Sequence, residues 1–212
     1  VQYRSNGAAG LMNTPAGFRI VRELTDVAAE VVEAGPPPLP SFAGTRYGLR
    51  PVDPEGSDPE LLSEWFSRPH LLETWDQPWS AEKWREDSSY RLAGHYSLPC
   101  ILSVDGAEAA YVEMYRAARD EITRIYDAHP HDTGFHIATA STEHLGRGVI
   151  SEWIRLLPSA VFAADPACRR MMAEPSADNP PILRVLGRLG WTAMGEFDIR
   201  PDRRIALYRF DR

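Results

Sequence analysis

Four groups of residues in this 212-residue chain have types and spacing suited to chemistry. The first is the pair Gly146 and Gly148. It follows GFHIATA (residues 134–140), whose small and β-branched residues read as a buried strand, and it precedes a run with helical periodicity. Glycines there leave backbone N–H groups uncovered at a helix N-terminus, where the positive end of the helix dipole favours an anion. Leu145, Gly146, Arg147, Gly148 and Val149 are the candidate backbone donors, and a pyrophosphate is the inferred ligand. A tight turn with no ligand is the plainer alternative. A dinucleotide fits poorly, because a third glycine inside the helix start and a parallel βαβ unit near the start of a domain are both missing.

The second group is His136, in the middle of that strand, with Glu174 at the end of RRMMAEP (residues 169–175). Two readings of each stay open on context alone. His136 is either a satisfied core histidine or a proton carrier, and Glu174 either faces solvent or reaches the histidine. The third group is His70, Trp75 and Asp76. Trp75 and Trp79 stand outside any helical period, where an aromatic body can wall a lysine-like alkyl stem and a carboxylate can pair with an amine. Trp65 and Trp84 read instead as core anchors. The fourth is the patch Asp127, His129, His131 and Asp132, read as a solvated loop; no further ligands recur at helix or strand spacing, and no metal is expected.

These residues need elements to hold them. FRIVRELT reads as a short strand, and DVAAEVVEAG as a helix with Val27, Val31 and Val32 at helical spacing and Gly35 as its stop. PPPLP follows as an extended connector, so residues 1–45 are expected to form an arm laid against a domain at 46–212, with residues 1–17 poorly ordered. RYGLRPV is a strand. SDPELLSEWFSR is a helix capped by Ser57 or Asp58, with Leu61, Leu62, Trp65 and Phe66 on one face. SAEKWREDSSYRLAG is a second helix, from Ser80 to Gly94. SLPCILSVDGAEAAYVEMYRA is a hairpin turning at Asp105-Gly106. Beyond the central strand and its helix come the RRMMAEP strand, a helix with Asn179 as N-cap, and two strands joined at RPDR. The fold class is α/β (α+β), with about seven strands and about four helices on a mixed sheet.

Composition sets outer limits. Hydrophobic content of 43% and charged content of 25% suit one packed domain. No apolar run is long enough to span a bilayer and no signal-peptide core is visible, so a cytoplasmic protein is expected. A net charge of −7 argues against a nucleic-acid partner. Cys100 and Cys168 form no disulfide or metal framework and read as buried thiols.

The order strand, Gly-x-Gly, helix, strand, Asn-capped helix, Gly-aromatic resembles the Gcn5-related N-acetyltransferase (GNAT) superfamily. Residues 68–84, YSLPCILSVDG, AYVEMYRAARD, GFHIATA and CRRMMAEPSADN together look like its siderophore-biosynthesis branch, which includes lysine N-acyltransferases of mycobactin synthesis and hydroxylysine acetyltransferases of aerobactin synthesis. That resemblance implies a mostly antiparallel sheet with two strands splayed apart at His136 and Glu174. It implies that these two are the acid–base pair. It also implies that the backbone of Ile137, Ala138 and Thr139, the glycine turn and Asn179 hold the co-substrate, acyl-CoA or acyl-phosphopantetheine on a carrier protein. No tightly bound cofactor is implied. Two departures stand out. Leu186 occupies the place of the tyrosine that many members use as proton donor, and Glu143 replaces the usual Gln or Arg three residues before the first glycine.

The reaction expected is N-acylation of the N6 amine or N6-hydroxylamine of lysine or a lysine-like precursor. A lysine ammonium has a pKa of about 10.4 and must lose a proton before it attacks a thioester, so a base and an oxyanion donor are required. Acetylation of an aminoglycoside and a non-catalytic acyl-CoA-binding domain are the alternatives. Acyl chain length, acceptor identity, oligomeric state and the role of the arm are not legible.

Overall fold

The computed structural model describes residues 19–75 and 77–212. The expectations for residues 1–17 and for Asp76 fall outside these. Six α-helices are present among the described residues: α1 (Ala29–Glu33), α2 (Asp58–Phe66), α3 (Pro69–Leu72), α4 (Ala81–Ala93), α5 (Val149–Ala164) and α6 (Pro180–Arg188). The seven strands are β1 (Tyr47–Pro51), β2 (Ser97–Val104), β3 (Ala107–Arg116), β4 (Thr133–Thr139), β5 (Arg170–Ala173), β6 (Thr192–Arg200) and β7 (Arg203–Asp211). They form one sheet in the order β1-β2-β3-β4-β5-β7-β6.

Every neighbouring pair is antiparallel except β4 and β5. That parallel pair joins only through Thr133↔Met171 and Gly134↔Met172. Past Gly134 the strands part, and β4 continues along β3 alone. The sheet therefore opens beside His136, with Glu174 just beyond the end of β5.

Period-2 alternation sorts β4 onto two cores. Phe135 and Ile137 pack on the face covered by α5 and α6, with Trp153, Leu157 and Leu186. Ala138 and Ala140 belong to the opposite face, with Phe66, Trp84 and Tyr111 under α2 to α4. Trp65 and Trp84 are buried, as their helical spacing predicts, each worth on the order of 2–3 kcal/mol of apolar burial. Leu186 is also buried, so the position that carries a tyrosine in many GNAT proteins holds a core residue here.

Local signals mostly match. Ser80 caps α4 by accepting the Lys83 N–H (3.3 Å), and Gly94 ends that helix. The β2–β3 turn places Asp105 and Gly106 at φ of 51° and 83°, as an Asp-Gly hairpin requires. One expectation fails, and two hold in position only. FRIVRELT makes one β-bridge, Glu23↔Asp120, and no strand, because its partner is a single extended residue between two short 3-10 turns. Ser57 and Asn179 hold the N-cap positions of α2 and α6 without a side-chain capping bond. In α2 the Asp58 carboxylate instead takes Arg50 (2.5 Å) and the Asp53 N–H (2.7 Å).

Candidate active site

His136 and Glu174 meet at the opening between β4 and β5. The His136 Nε2 lies 2.6 Å from Glu174 Oε1, with the imidazole 17% exposed and the carboxylate fully buried. The β-strand register sets a second carboxylate beside the ring. Glu113 sits opposite His136 on β3, 3.8 Å from Nδ1. Tyr115, two residues along, stacks on the imidazole at 4.7 Å and donates its hydroxyl to Glu174 (2.9 Å). Trp75 closes the side, edge-on to His136 with ring centroids 6.3 Å apart.

Arginines tie this cluster into the fold. Arg91 bridges Asp87 (2.6 Å) and Glu113 (2.8 Å), and Arg203 bridges Glu121 (2.7 Å) and Glu174. Arg22, from the segment ahead of α1, reaches Asp120, Glu174 and His136 Nε2 together. Glu113, Glu121, Arg22, Arg91 and Arg203 carry no motif and escape a reading of the sequence. Only Glu113 leaves a signal, a charge inside the apolar run YVEMY.

The electrostatics follow from burial against these charges. For Glu174, burial disfavours the ionised form, but Arg22, His136 and Arg203 outweigh it and hold the carboxyl well below the usual range. Glu113 is likewise disfavoured as an anion by burial, yet Arg91 and His136 bring it down to about 2. For His136, burial and Arg22 push protonation down; Glu174 and Glu113 prevail, and the imidazole ends above its ordinary value.

The glycine turn lies at the start of α5, which packs on the opposite face of the sheet from Trp75. Gly146 and Gly148 hold φ of 71° and 80°, a region L side chains rarely adopt, and a Cβ at either position would meet open space. The Leu145 N–H donates to the Thr142 carbonyl (3.2 Å), whereas the N–H groups of residues 146–149 have no acceptor among the described residues. The exposed donors, the helix dipole and the Arg147 side chain at the surface fit a phosphate ligand. Glu143 is exposed as well.

Just past the end of β4, Ala140 donates to the Ala109 carbonyl of β3 (2.9 Å). Strand alternation then turns the backbone of Ile137 and Thr139 toward the opening and that of Ala138 toward β3. The Thr139 carbonyl is already occupied. His70 Nε2 donates to it at 2.9 Å, so this histidine pins α3 to the edge of β4. Trp79 packs on Trp84, ring centroids 4.8 Å apart, under the Lys83 ammonium. In the His/Asp patch, His131 pairs with Asp165 (3.0 Å) and Asp132 with Arg170 (2.8 Å). A surface cavity of about 540 Å³ lies elsewhere, beside Val27, Val31, Thr123 and Tyr126.

A family model described as "Acetyltransferase (GNAT) domain" matches residues 55–199. The chain is 44% identical over 191 residues to a lysine N-acyltransferase, MbtK, of Mycobacterium sp. (strain MCS), covering 90% of this chain and 77% of that protein. It is 38% identical over 193 residues to the MbtK of Mycobacterium tuberculosis (strain ATCC 25618 / H37Rv), covering 91% and 90%. An N(6)-hydroxylysine O-acetyltransferase of Escherichia coli is 29% identical over 164 residues, 77% of this chain and 51% of that one. Among solved structures, the aminoglycoside acetyltransferase AAC(6')-Ib in complex with coenzyme A superposes with a TM-score of 0.69 at 24% identity, over 78% of this chain and 95% of that one.

Proposed function

The chain belongs to the GNAT acetyltransferase domain family, and from that premise we propose that it acylates the N6 amine or N6-hydroxylamine of lysine or a lysine-like siderophore precursor, with acyl-CoA as donor. The observation that carries this reading is the contact of His136 Nε2 with Glu174 Oε1 at the mouth of the split sheet, beside Trp75.

The thioester donor supplies an activated acyl carbon and a thiolate leaving group. The protein's task is proton management. A lysine ammonium must shed its proton before attack; His136 receives it, and Glu174 orients the ring and stabilises the imidazolium. The same proton then passes to the departing thiolate, the work done by a tyrosine elsewhere in the superfamily and unavailable to Leu186, and the neutral His136 takes the second proton that the nitrogen sheds as the amide forms and releases it to solvent. The Ile137 and Thr139 backbone groups line the opening and serve the acyl carbonyl and the amide-bearing arm of the donor. The N–H groups of residues 146–149 with Arg147 take the pyrophosphate, and Asn179 at the head of α6 lies on the same coenzyme side.

On the other face, Trp75 walls the alkyl stem of the acceptor, with His70 holding α3 against β4, and the Asp76 carboxylate is the group proposed to pair with the acceptor's polar end. A carrier-protein phosphopantetheine presents the same thioester and is the second donor to assay. No helix among the described residues is long and apolar enough to cross a membrane, both cysteines are free, and a cytoplasmic setting suits a coenzyme A substrate.

The test is a panel of acyl-CoA donors and one acyl carrier protein against lysine, N6-hydroxylysine and kanamycin, read by thiol release and product mass. Acylated lysine or N6-hydroxylysine is expected. Turnover of kanamycin alone would replace the acceptor assignment, and tight CoA binding with no thiol release for any amine would leave a binding domain.

A further inference from the structure

The arm enters the active site. Residues 20–24 are stitched to the segment after β3: Leu24 donates to the Arg119 carbonyl (2.8 Å), Glu121 donates to the Arg22 carbonyl (3.0 Å), and Arg119 pairs with Glu23 (3.0 Å). Ile20 is buried in the core with Tyr96, Tyr115 and Met172. With its backbone fixed on both sides, Arg22 turns its guanidinium inward. Its Nε and Nη2 donate to Asp120 at 3.2 and 3.1 Å, Nη2 also donates to Glu174, and Nη1 lies 2.7 Å from His136 Nε2. The guanidinium carbon stands 5.4 Å over the Tyr115 ring.

Two contacts on His136 Nε2 exclude one another. A guanidinium only donates, so Arg22 bonds Nε2 when that nitrogen carries its lone pair. A carboxylate only accepts, so Glu174 bonds Nε2 when that nitrogen carries a proton. With Arg22 bonded to Nε2, the neutral ring must be the Nδ1–H tautomer, whose N–H faces Glu113 at 3.8 Å. When a proton arrives, Nε2–H turns to Glu174 and faces the Arg22 donor, which Asp120 retains in place.

Resting on the acid–base reading above, we propose that Arg22 is a positioning residue of the acyl-transfer site: it keeps Glu174 within reach of His136 and biases the imidazole toward the form with an unprotonated Nε2. The groups that face His136 are Glu113 from β3, Glu174 after β5, Arg22 from the arm and the rings of Tyr115 and Trp75. Of these only Arg22 opposes the imidazolium by charge. Its loss leaves two carboxylates unopposed, and His136 then holds its proton to higher pH.

The experiment follows kcat/KM for acyl transfer between pH 5.5 and 9 in wild type, Arg22→Gln and Arg22→Lys, with NMR titration of 15N-labelled histidine assigned by His136→Gln. In Arg22→Gln the acid limb and the His136 midpoint are both expected to rise by about one pH unit, so kcat/KM falls about tenfold on the acid side and recovers at alkaline pH. Arg22→Lys keeps the charge and is expected to keep the limb near wild type. In the wild-type protein neutral His136 is expected as the Nδ1–H tautomer, a reading that needs no variant to fold. An unmoved midpoint in folded Arg22→Gln, a loss equal at every pH, or an Nε2–H tautomer in wild type would overturn the proposal. Full activity in His136→Gln would instead overturn the acid–base reading, while the midpoint in Arg22→Gln would still report whether Arg22 sets the proton affinity of the ring.

Discussion

His136 works between carboxylates on both ring nitrogens and a guanidinium on one of them, and the carboxylates prevail. Activity on lysine is therefore expected to rise with pH through a midpoint above 6.5, because the raised imidazole must first lose its proton to serve as base. His136→Ala should lower kcat by roughly a hundredfold or more, with donor binding intact. Combining it with Glu174→Ala should add little, since the two act as one unit. The loss should be smaller with N6-hydroxylysine, whose nucleophile needs less help. Near wild-type kcat on lysine across pH 6 to 9 in His136→Ala would return the ring to the core. Trp75 faces His136 from the side proposed for the acceptor, so Trp75→Ala should raise the acceptor KM and leave the donor KM nearly unchanged. Equal damage to both would mark a packing residue. The meeting of His136 with Glu174 was legible through the family resemblance, whereas strand context left a core histidine and a solvent-facing carboxylate as the plainer readings. Arg22 was not, because it is 114 positions from His136, and a sequence separation of that size leaves no local pattern.

At the scale of elements, the glycine turn owes its shape to two positive φ angles and open space above each. Gly146→Val should weaken CoA binding at least tenfold in calorimetry while the protein stays folded, because a β-branched side chain both strains that backbone and covers the donors. Unchanged affinity in a folded variant would remove the phosphate assignment from this turn. Strands and long helices were readable here because short apolar runs and 3.6-residue periodicity are local properties, as in YVEMY and in the α5 run. Caps were less readable. Ser80 makes its capping bond, but Ser57 and Asn179 occupy equivalent positions without one, since for α2 the nearby Arg50 and Asp53 already organise the first turn around Asp58. The FRIVRELT segment fails as a strand for a related reason: pairing depends on a partner, and Asp120 offers one residue of it.

Over the whole molecule, the site's carboxylates are also stabilising groups. Glu113 falls from an ordinary value near 4.5 to about 2 on folding, so its contribution is present above pH 4.5 and disappears as pH falls toward 2. That contribution is about 3 kcal/mol. Glu113→Gln should be less stable at neutral pH, because Arg91 loses a buried partner, yet its stability should decline less steeply between pH 4.5 and 2 than that of wild type. Urea melts at stepped pH would show this, and parallel slopes would contradict it. His136 runs the opposite way: its raised affinity for a proton stabilises the fold below pH 6.5 and is lost as pH rises through the folded value. One further property follows from the ion-pair cluster. Asp87, Glu113, Asp120, Glu121 and Glu174 face Arg22, Arg91, Arg200 and Arg203, so with a neutral imidazole the buried cluster lacks one positive charge. In the proposed reaction an arriving ammonium supplies it, and after the proton moves to His136 the imidazolium supplies it until that proton passes to the thiolate. The cluster is then charge-balanced from acceptor binding until the leaving group is protonated, and the acceptor KM for lysine should climb with ionic strength while kcat stays nearly constant.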